Sequence, residues 1–476
     1  MPPPDTFIGI DLGTSSLKGV AASSEGVTIA SARASYPTQR PALGRAEQDP
    51  ADWTVAFREV IRALAATVPQ TSWAGIGLSG MIPTLVPIDA NGSARMAITW
   101  EDARAEAEGE ELRSSFGADA LYARTGQWVD GRYLLPMYRW IERHDQGTAA
   151  ETEALLGAKD YLFSWLTGER VTDPSTATGF GCFDLTETRW IDGLLPDVAL
   201  PDIRKSSFSA EMRDAVADEL EVPRRIPVTL GAADSVSAAL GVGATEPGDC
   251  AYVWGTSTVV LGVAEDARLD PAHRFLVTPL ALGDAFGLEM DLLSTGAAFG
   301  WTAGVFGVDG PSELLRLAER SSPGANGVTF LPYLAFGEQG ALWDPALRGA
   351  LDGLTIAHTR EDIARALVEA IVVESRRAIG VLAEASASPR EIRVTGAIAE
   401  EPFFLRELAS ATDRAVVAVE HPSAAAAGAA AIASGKRPTA HRAPNAIEPE
   451  TTTTSFWDER QAEIDDLRGR LRRDRV

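Results

Sequence analysis

A carboxylate, a glycine and three small polar residues stand between two apolar segments near the start of the chain. Residues 8–12 are apolar apart from Asp11, residues 13–16 read Gly-Thr-Ser-Ser, and a further apolar stretch contains Lys18. The order predicts a strand, a tight turn and a strand, in which a glycine with positive φ lets successive N–H groups bind one phosphate. Asp11 would suit a divalent cation, because hard cations prefer oxygen ligands. An ordinary hairpin with a polar turn fits equally well.

A second carboxylate, Asp234, stands where an apolar strand passes into a helix. Residues 226–230 have the pattern of a strand, Gly231 follows, and residues 235–240 have helical character. A carboxylate at such a turn can accept a proton from a hydroxyl within hydrogen-bond reach. It can also act as the helix N-cap, which is the commoner role of an aspartate in that position.

The second half of the chain repeats the opening pattern. Residues 251–260 read Ala-Tyr-Val-Trp-Gly-Thr-Ser-Thr-Val-Val, so Gly255, Thr256 and Ser257 occupy the turn between two apolar strands. Gly255 follows Gly13 by close to half of the 476 residues, which is the spacing that a duplicated domain requires. Two such turns facing each other across a cleft would bind a polyphosphate from both sides.

The elements that must position these residues begin with strands. Three strands are predicted in residues 7–36, then a helix that Asp52 caps, and then a strand at residues 74–78. This order is typical of a ribonuclease-H-like domain. The predicted fold class is therefore α/β, with two ribonuclease-H-like domains and an interdomain cleft.

The predicted domains are residues 1–243 and residues 244–476. Residues 101–115 and 456–476 are predicted to be charged helices, and the second of these is expected to face solvent. Residues 423–434 are rich in alanine, and such small side chains favour close packing of a helix against a sheet or a ligand.

Composition narrows the classes of partner. The net charge of −24 argues against nonspecific binding to nucleic acid or to an anionic membrane. The two cysteines are far apart, and the five histidines lack metal-ligand spacing. No export signal is recognisable, and no apolar segment reaches the ~20 residues of a membrane span. We expect a cytoplasmic protein that binds neither nucleic acid nor membrane.

Several stretches together resemble the FGGY carbohydrate kinases of the actin and sugar-kinase superfamily, with xylulokinases as the most similar subgroup. The resemblance runs from residue 7 to about residue 435. It is carried by residues 8–20, 47–50 with Trp53, 100–104, 159–161 with 167–169, 231–243, 253–258, 330–333 and 349–369.

The resemblance implies an ATP-dependent kinase that uses Mg²⁺. It makes Asp234 the general base and Asp11 the organiser of Mg²⁺. The residues alone leave two alternatives open: Lys18 could be a solvated lysine on a strand, and Trp301 could be a core residue. The residues implied in nucleotide binding are Gly13, Thr14, Ser15, Lys18, Gly255, Thr256, Ser257, Gly296, Trp301, Gly396 and Ala397.

Two stretches depart from the family pattern. Residues 395–399 read Thr-Gly-Ala-Ile-Ala where the family has a run of glycines, and the methyl groups narrow the approach of a nucleoside. Residues 81–84 read Met-Ile-Pro-Thr where xylulokinases have Gln-Met-His-Gly and glycerol kinases an Arg-Glu pair. Neither an imidazole nor a charged Arg-Glu pair is present in this stretch to hold sugar hydroxyls. This absence indicates a substrate different from those of xylulokinases and glycerol kinases.

The expected reaction is phosphorylation of a small sugar, with a pentulose such as D-xylulose as the leading candidate. The alternatives are another polyol, a ketose, a sugar acid such as gluconate, or a sugar-binding regulator without turnover. A homodimer is compatible with the resemblance. Arg104 could orient the sugar, or it could form an ion pair with a neighbouring carboxylate on its own helix. The residues expected to contact the sugar are Met81, Ile82, Pro83, Trp100, Asp102, Arg104 and Asp234.

Overall fold

The computed structural model describes residues 5–335, 340–344, 346–385, 389–437, 446–450 and 454–473. Of the five histidines, His441 lies outside these ranges, as do residues 474–476 of the predicted C-terminal helix. No helix in the described ranges is both long enough and apolar enough to cross a membrane.

The strands, numbered in chain order, are β1 Thr6–Leu12, β2 Ser16–Ser23, β3 Thr28–Ser35, β4 Glu47–Gln48, β5 Trp73–Gly80, β6 Thr84–Ile88, β7 Ala97–Thr99, β8 Ala154–Leu156, β9 Val171–Thr172, β10 Phe183–Asp184, β11 Arg189–Trp190, β12 Asp202–Ile203, β13 Ser209–Glu211, β14 Pro227–Ala233, β15 Cys250–Trp254, β16 Thr258–Ala264, β17 Leu276–Pro279, β18 Phe286–Leu292, β19 Thr329–Leu331, β20 Ala350–Asp352, β21 Glu391–Thr395 and β22 Ala415–Ala418.

The α-helices are α1 Pro50–Ala65, α2 Glu106–Phe116, α3 Ala118–Thr125, α4 Leu134–His144, α5 Gln146–Glu151, α6 Ala158–Thr167, α7 Pro174–Ala177, α8 Asp214–Leu220, α9 Asp234–Gly241, α10 Gly296–Phe306, α11 Gly310–Arg320, α12 Arg360–Ala385, α13 Pro402–Thr412, α14 Ala424–Ser434 and α15 Thr454–Arg473.

Two large sheets in the described part of the chain share the order of five strands, read in opposite directions, whereas their sixth strands, β13 and β17, lie at opposite edges. The first runs β13-β14-β5-β1-β2-β3, and the second runs β17-β18-β16-β15-β21-β22. In each sheet the first strand of the repeat, β1 or β15, pairs antiparallel with the next strand of the chain and parallel with β5 or β21. The predicted α/β fold with two ribonuclease-H-like domains is confirmed. The boundary at residue 243 stays a prediction.

Two predicted helix starts are wrong. The side chain of Asp49, not Asp52, caps α1 by accepting a hydrogen bond from Ala51 N at 2.9 Å, and Pro50 supplies the fixed φ of a first helical residue. The charged helix predicted from residue 101 begins at Glu106. A local bond competes with the helix there, because the Asp102 carboxylate binds backbone outside it.

The alanine-rich helix α14 packs against the first sheet rather than the second. A Cβ on Gly9 of β1 would lie 1.8 Å from the carbonyl oxygen of Ala426, and one on Gly77 of β5 would lie 2.0 Å from that of Ala429. Helix and strands therefore touch backbone to backbone, which only small residues allow. The predicted close packing is confirmed, and it brings the end of the second half onto the first sheet.

The prediction that the C-terminal helix faces solvent is wrong. Along α15, Trp457, Arg460, Ile464 and Leu467 are at most 3% exposed. Arg460 Nη2 donates to the carbonyl oxygen of Val328 at 2.6 Å, just before β19. The spacing of these residues forms one buried stripe, so the charged residues occupy only the other faces of the helix.

Candidate active site

Asp11 lies at the end of β1, almost fully buried. Its Oδ2 is 3.5 Å from Lys18 Nζ on β2 and accepts a hydrogen bond from Ser423 Oγ at 3.3 Å. Its Oδ1 is buried and has no hydrogen-bond partner among the described residues. One oxygen of this carboxylate is therefore held by the protein, and the other is left for a ligand.

The turn after Asp11 is tight, but its glycine does not adopt the expected positive φ. The turn closes when Gly13 N donates to the carbonyl oxygen of Ser16 at 3.2 Å, which leaves Thr14 and Ser15 at its tip. A Cβ on Gly13 would lie 3.3 Å from that oxygen, so close approach rather than left-handed backbone favours glycine here. The Thr14 hydroxyl accepts a hydrogen bond from Trp100 Nε1 at 3.0 Å.

Asp234 is presented by a distorted strand end. Gly231 has φ +72°, and its Cα lies so near β5 that a Cβ would fall 1.6 Å from the carbonyl oxygen of Leu78. The chain then enters α9, whose N-cap is Ala233 with no side-chain capping bond. Asp234 is thus the first helical residue, with Oδ1 accepting from Ser235 N at 3.0 Å, and it does not fill the N-cap role.

The Asp234 carboxyl titrates close to neutral pH. Burial raises its pKa to about 8, and the nearby charge of Asp11 and, less strongly, of Asp291 adds to the shift, whereas the Ser235 N–H and Lys18 lower the pKa. A carboxyl that exchanges its proton in this range is suited to acid or base work.

A buried polar network lies behind the Asp234 turn. Lys159 Nζ contacts Asp160 Oδ1 at 2.8 Å and Asp173 Oδ1 at 3.2 Å, and all three side chains are at most 1% exposed. Asp173 also binds the Ser175 hydroxyl, whose oxygen accepts from Ala233 N at 2.9 Å. Lys159 and Asp173, through Ser175, therefore support the backbone immediately before Asp234.

A small, partly open cavity lies between the two halves of the chain, next to this turn. Most of its lining is uncharged. Ile82 and Pro83 contribute to it, whereas Met81 is buried in the core of the first half, and their contact with a sugar stays a prediction. The lining residues are Ile82, Pro83, Gln127, Tyr133, Thr178, Gly179, Ala233, Ser235, Leu276, Thr278, Glu289 and Asp291.

Two acidic side chains on β18 form one wall of the cavity. Glu289 Oε2 accepts a hydrogen bond from Ser235 Oγ at 2.9 Å, which links β18 to α9. Burial and the neighbouring charge of Asp291 hold the pKa of Glu289 well above its usual range. Burial raises the pKa of Asp291 to about 6, and Arg132 opposes this shift. At neutral pH Asp291 therefore carries the negative charge of this wall.

The second glycine turn lies beside the start of α10 and the loop after β21. Gly255 N donates to the carbonyl oxygen of Ser257 at 2.8 Å, which resembles the closure of the first turn. A Cβ on Gly296 would lie 2.2 Å from the carbonyl oxygen of Gly255, and one on Gly396 would lie 2.1 Å from that of Trp254. The structure therefore brings Gly255, Gly296 and Gly396 together.

The remaining predicted nucleotide residues are accessible. Thr256, next in the turn, and Ala397, after Gly396, are exposed. Trp301 on α10 is 56% exposed, so it does not serve as a core residue. Whether the two turns bind one polyphosphate stays a prediction.

Asp102 and Arg104 do not line the cavity. Asp102 Oδ2 accepts from Ala46 N at 2.6 Å, and Arg104 donates to Asp102 and, through Nη2, to Glu47 Oε1 at 2.6 Å. Their polar atoms are engaged within the protein, as the pairing alternative for Arg104 anticipated, although outside a helix. Trp100 instead contacts the first turn through Thr14.

Sequence reasoning missed most of the cavity's polar lining. Glu289 and Asp291 lie on β18, a strand for which no prediction was made. The alternation in Phe-Gly-Leu-Glu-Met-Asp-Leu at residues 286–292 is the signal that could have found it. Gln127 and Tyr133 come from the loop between α3 and α4, and nothing local in that loop indicates contact with the second half, where Gln127 Nε2 donates to the carbonyl oxygen of Val277 on β17 at 2.8 Å.

Mg²⁺ would fit the Asp11 position. No cluster of three or more His, Cys, Asp or Glu side chains suited to a metal occurs among the residues that the structure describes. Mg²⁺ is commonly held by only one or two carboxylates, with phosphate oxygens and water completing its octahedron. The buried, unpartnered Oδ1 of Asp11 is a donor of this kind.

Two ribonuclease-H-like sheets with a cavity at their junction define the two-domain fold of the actin and sugar-kinase class. The family model "FGGY family of carbohydrate kinases, N-terminal domain" matches residues 6–241, and that of the C-terminal domain matches residues 250–435. The chain belongs to the FGGY family of carbohydrate kinases, and it is an ATP-dependent sugar kinase.

Individual relatives carry two different sugar names. A gluconokinase of Bacillus subtilis is 27% identical, covering 89% of this chain and 86% of the relative, and a xylulose kinase of Staphylococcus xylosus is 28% identical, covering 90% of each. The crystal structure of a xyloylose kinase from Brucella ovis has a TM-score of 0.90 and 29% identity, covering 98% of this chain and 99% of that one.

Proposed function

We propose that this kinase transfers the γ-phosphate of ATP to a hydroxyl of a small neutral sugar, and that a pentulose such as D-xylulose is its acceptor. The observation that carries the proposal is the composition of the cavity next to Asp234. Amide, phenol and hydroxyl groups line it together with Glu289 and Asp291, and no lysine or arginine occurs among its described lining residues. Such a surface offers hydrogen bonds to a polyhydroxy molecule and no counter-charge to an acid.

In this proposal Asp234 removes the proton from the attacking hydroxyl. Its raised pKa gives it the basicity to do so near neutral pH. Glu289 accepts from Ser235, the neighbour of Asp234, and so helps to fix the start of α9 against β18. The protein's other task is to position the two substrates, because phosphoryl transfer leaves little covalent work to the enzyme.

The two glycine turns are proposed to bind the nucleotide. Gly13, Thr14 and Ser15 would contact the phosphates from the first half, with Lys18 neutralising charge, and the turn at Gly255 would do so from the second. The adenosine would lie at Gly396, near α10. Mg²⁺, which we propose Asp11 holds, would neutralise charge on the phosphate oxygens when bound.

The negative charge of the cavity wall favours a neutral ketose over an aldonate, which carries a carboxylate. A gluconate carboxylate placed in the cavity would meet the negative charge of Asp291, and juxtaposed like charges cost several kcal/mol. We therefore expect kcat/KM for gluconate to be at least about 100-fold below that for D-xylulose.

Gluconate is nevertheless the second candidate substrate, because one cationic side chain, that of Arg132, lies near the cavity wall. Arg132 lowers the pKa of Asp291, so its positive charge reaches the cavity wall. Its Nε is held by Asp130 at 3.1 Å from both carboxylate oxygens, which neutralises much of that charge. A rearrangement that freed Arg132 would be needed before it could bind an acid.

The test is ADP release with purified protein, ATP and Mg²⁺ over a panel of D-xylulose, D-ribulose, L-ribulose, xylitol, glycerol and D-gluconate. A neutral ketose is expected to give the highest kcat/KM. Gluconate as the best acceptor would overturn the neutral-sugar proposal and favour the second candidate. No stimulation by any acceptor would favour a regulator without turnover.

Asp234→Asn is the control for the same panel. It should abolish sugar-stimulated ADP release while it leaves ADP binding, measured by calorimetry, within about threefold of the wild type. Undiminished turnover in this variant would show that another group is the base. The oligomeric state stays a prediction.

A further inference from the structure

A serine from the far end of the chain contacts the carboxylate at the start of the site. Ser423 Oγ donates to Asp11 Oδ2 at 3.3 Å, across 412 positions of sequence. Ser423 is also the N-cap of α14, and its Oγ accepts from Ala426 N at 3.2 Å. Because the helix amide already donates to this oxygen, the hydroxyl proton is the one available for Asp11.

The position of Ser423 is fixed by packing. The residue is 8% exposed, and the helix it caps touches β1 at Gly9, two residues from Asp11 in the strand. A Cβ on Gly9 would fall 1.8 Å from the carbonyl oxygen of Ala426, so the first turn of α14 has no room to shift towards the strand. The hydroxyl is therefore held relative to Asp11 by backbone contact.

The two oxygens of Asp11 differ in a way that this contact explains. Oδ2 receives Ser423, together with Lys18 at 3.5 Å, whose side chain is 37% exposed. Oδ1 is buried with no hydrogen-bond partner among the described residues. A buried donor on one oxygen fixes the rotation of the carboxylate and leaves the other oxygen for a ligand.

We infer that Ser423 is a positioning residue, which orients Asp11 so that its Oδ1 is available to the Mg²⁺ of a bound nucleotide. The inference rests on the proposed role of Asp11. It links metal binding in the first half to the docking of α14 from the second half.

The simpler alternative is that Ser423 only caps α14. Threonine and glycine are similar in strength as N-caps, but only threonine has a hydroxyl. Ser423→Thr and Ser423→Gly are therefore a matched pair for separating the two roles.

The experiment is calorimetric titration of ADP into each variant, in EDTA and then over a series of Mg²⁺ concentrations. In the wild type, Mg²⁺ should strengthen ADP binding. In Ser423→Gly, the Mg²⁺ concentration for half-maximal strengthening should rise about fivefold or more, the effect of roughly one hydrogen bond. Ser423→Thr should restore it to within about twofold, and metal-free affinity should be equal throughout.

A double-mutant cycle with Asp11→Asn completes the test. In that background Ser423→Gly should have no further effect on Mg²⁺ dependence. Equal Mg²⁺ dependence of Ser423→Gly, Ser423→Thr and the wild type would overturn the inference alone. If the affinity of the wild type for ADP does not change with Mg²⁺ concentration, the metal role of Asp11 is overturned, and the inference about Ser423 with it.

Discussion

Asp11 lies on β1 and Asp234 directly follows β14 of the same sheet, and the charge of Asp11 adds to the burial that raises the pKa of Asp234 to about 8. One carboxylate has a free buried oxygen, and the other holds its proton to unusually high pH. The two groups are therefore divided in role by their surroundings, one suited to a cation and the other to proton exchange.

The first prediction concerns the pH dependence of turnover. Because the base must be deprotonated, kcat/KM for the sugar should fall about tenfold for each pH unit below about 8, and it should level off above that value. Steady-state rates between pH 5.5 and 9.5 at saturating ATP measure this. A flat profile from pH 6 to 9 would contradict the assigned pKa.

The second prediction concerns stability. The native Asp234 carboxyl keeps its proton up to about pH 8, whereas in the unfolded chain it ionises near ~4. The stability linked to this proton is thus lost as pH rises from about 4 through about 8. The amide that replaces the carboxyl in Asp234→Asn does not ionise, so the variant should gain about 1–4 kcal/mol over wild type by pH 8 and little near pH 4.

Urea unfolding of both proteins at pH 4.5, 6, 7 and 8 would measure this difference. The expected result is a gap in unfolding free energy that widens with pH. A gap that is constant, or that favours the wild type at high pH, would show that Asp234 is not held in its protonated form by the native structure.

The third prediction concerns sugar selection. Removing the charge of Asp291 with Asp291→Asn should raise the ratio of gluconate to D-xylulose in kcat/KM by about tenfold or more, because the like charge facing an acid is gone. Asp284→Asn, the same change at an exposed position just before β18, is the control and should leave the ratio unchanged. Equal ratios in both variants would show that Asp291 does not discriminate.

The fourth prediction tests the docking of α14. Gly9→Ala would place a Cβ 1.8 Å from the carbonyl oxygen of Ala426, and neither backbone can yield without moving strand or helix. We expect a loss of about 1–3 kcal/mol or more in unfolding free energy. In α12, Gly380→Ala meets nothing within 4 Å and should stabilise by roughly 0.4–1 kcal/mol. Urea denaturation of the two variants should show changes of opposite sign.

Local pattern accounts for the parts of the fold that the sequence predicted. Short turns of glycine, threonine and serine at Gly13 and Gly255 separate apolar strands, and the apolar faces of α12 and α13 follow the helical period. These elements can therefore be predicted from a short segment of sequence. β18 carries a local strand signal in the alternation of residues 286–292, but that alternation predicts that Glu289 and Asp291 face solvent. Their burial between two halves of the chain is a tertiary effect that no window contains.

The site was predictable where one residue type alone suits a position. Asp11 and Asp234 stand at the ends of apolar strands, so local sequence indicated them, whereas Gly396, which has φ +91° beside Trp254, was indicated by the family resemblance. Asp102 was expected at the sugar, yet its carboxylate binds Ala46 N, a partner visible only after folding. Ser423 was not singled out for the same reason, because 412 positions separate it from Asp11.

The fifth prediction concerns α15, which lies beyond the part of the chain that the family models match. Trp457 is 1% exposed and packs in the core of the second half, so Trp457→Ala should cost about 3–5 kcal/mol. Glu459→Ala, two residues further along an exposed face, should change stability by less than about 0.5 kcal/mol. Because α15 touches β19 and α12 rather than the cavity, KM for the sugar should be the same in both folded variants. A stable Trp457→Ala protein with an altered sugar KM would show instead that the helix acts on the site.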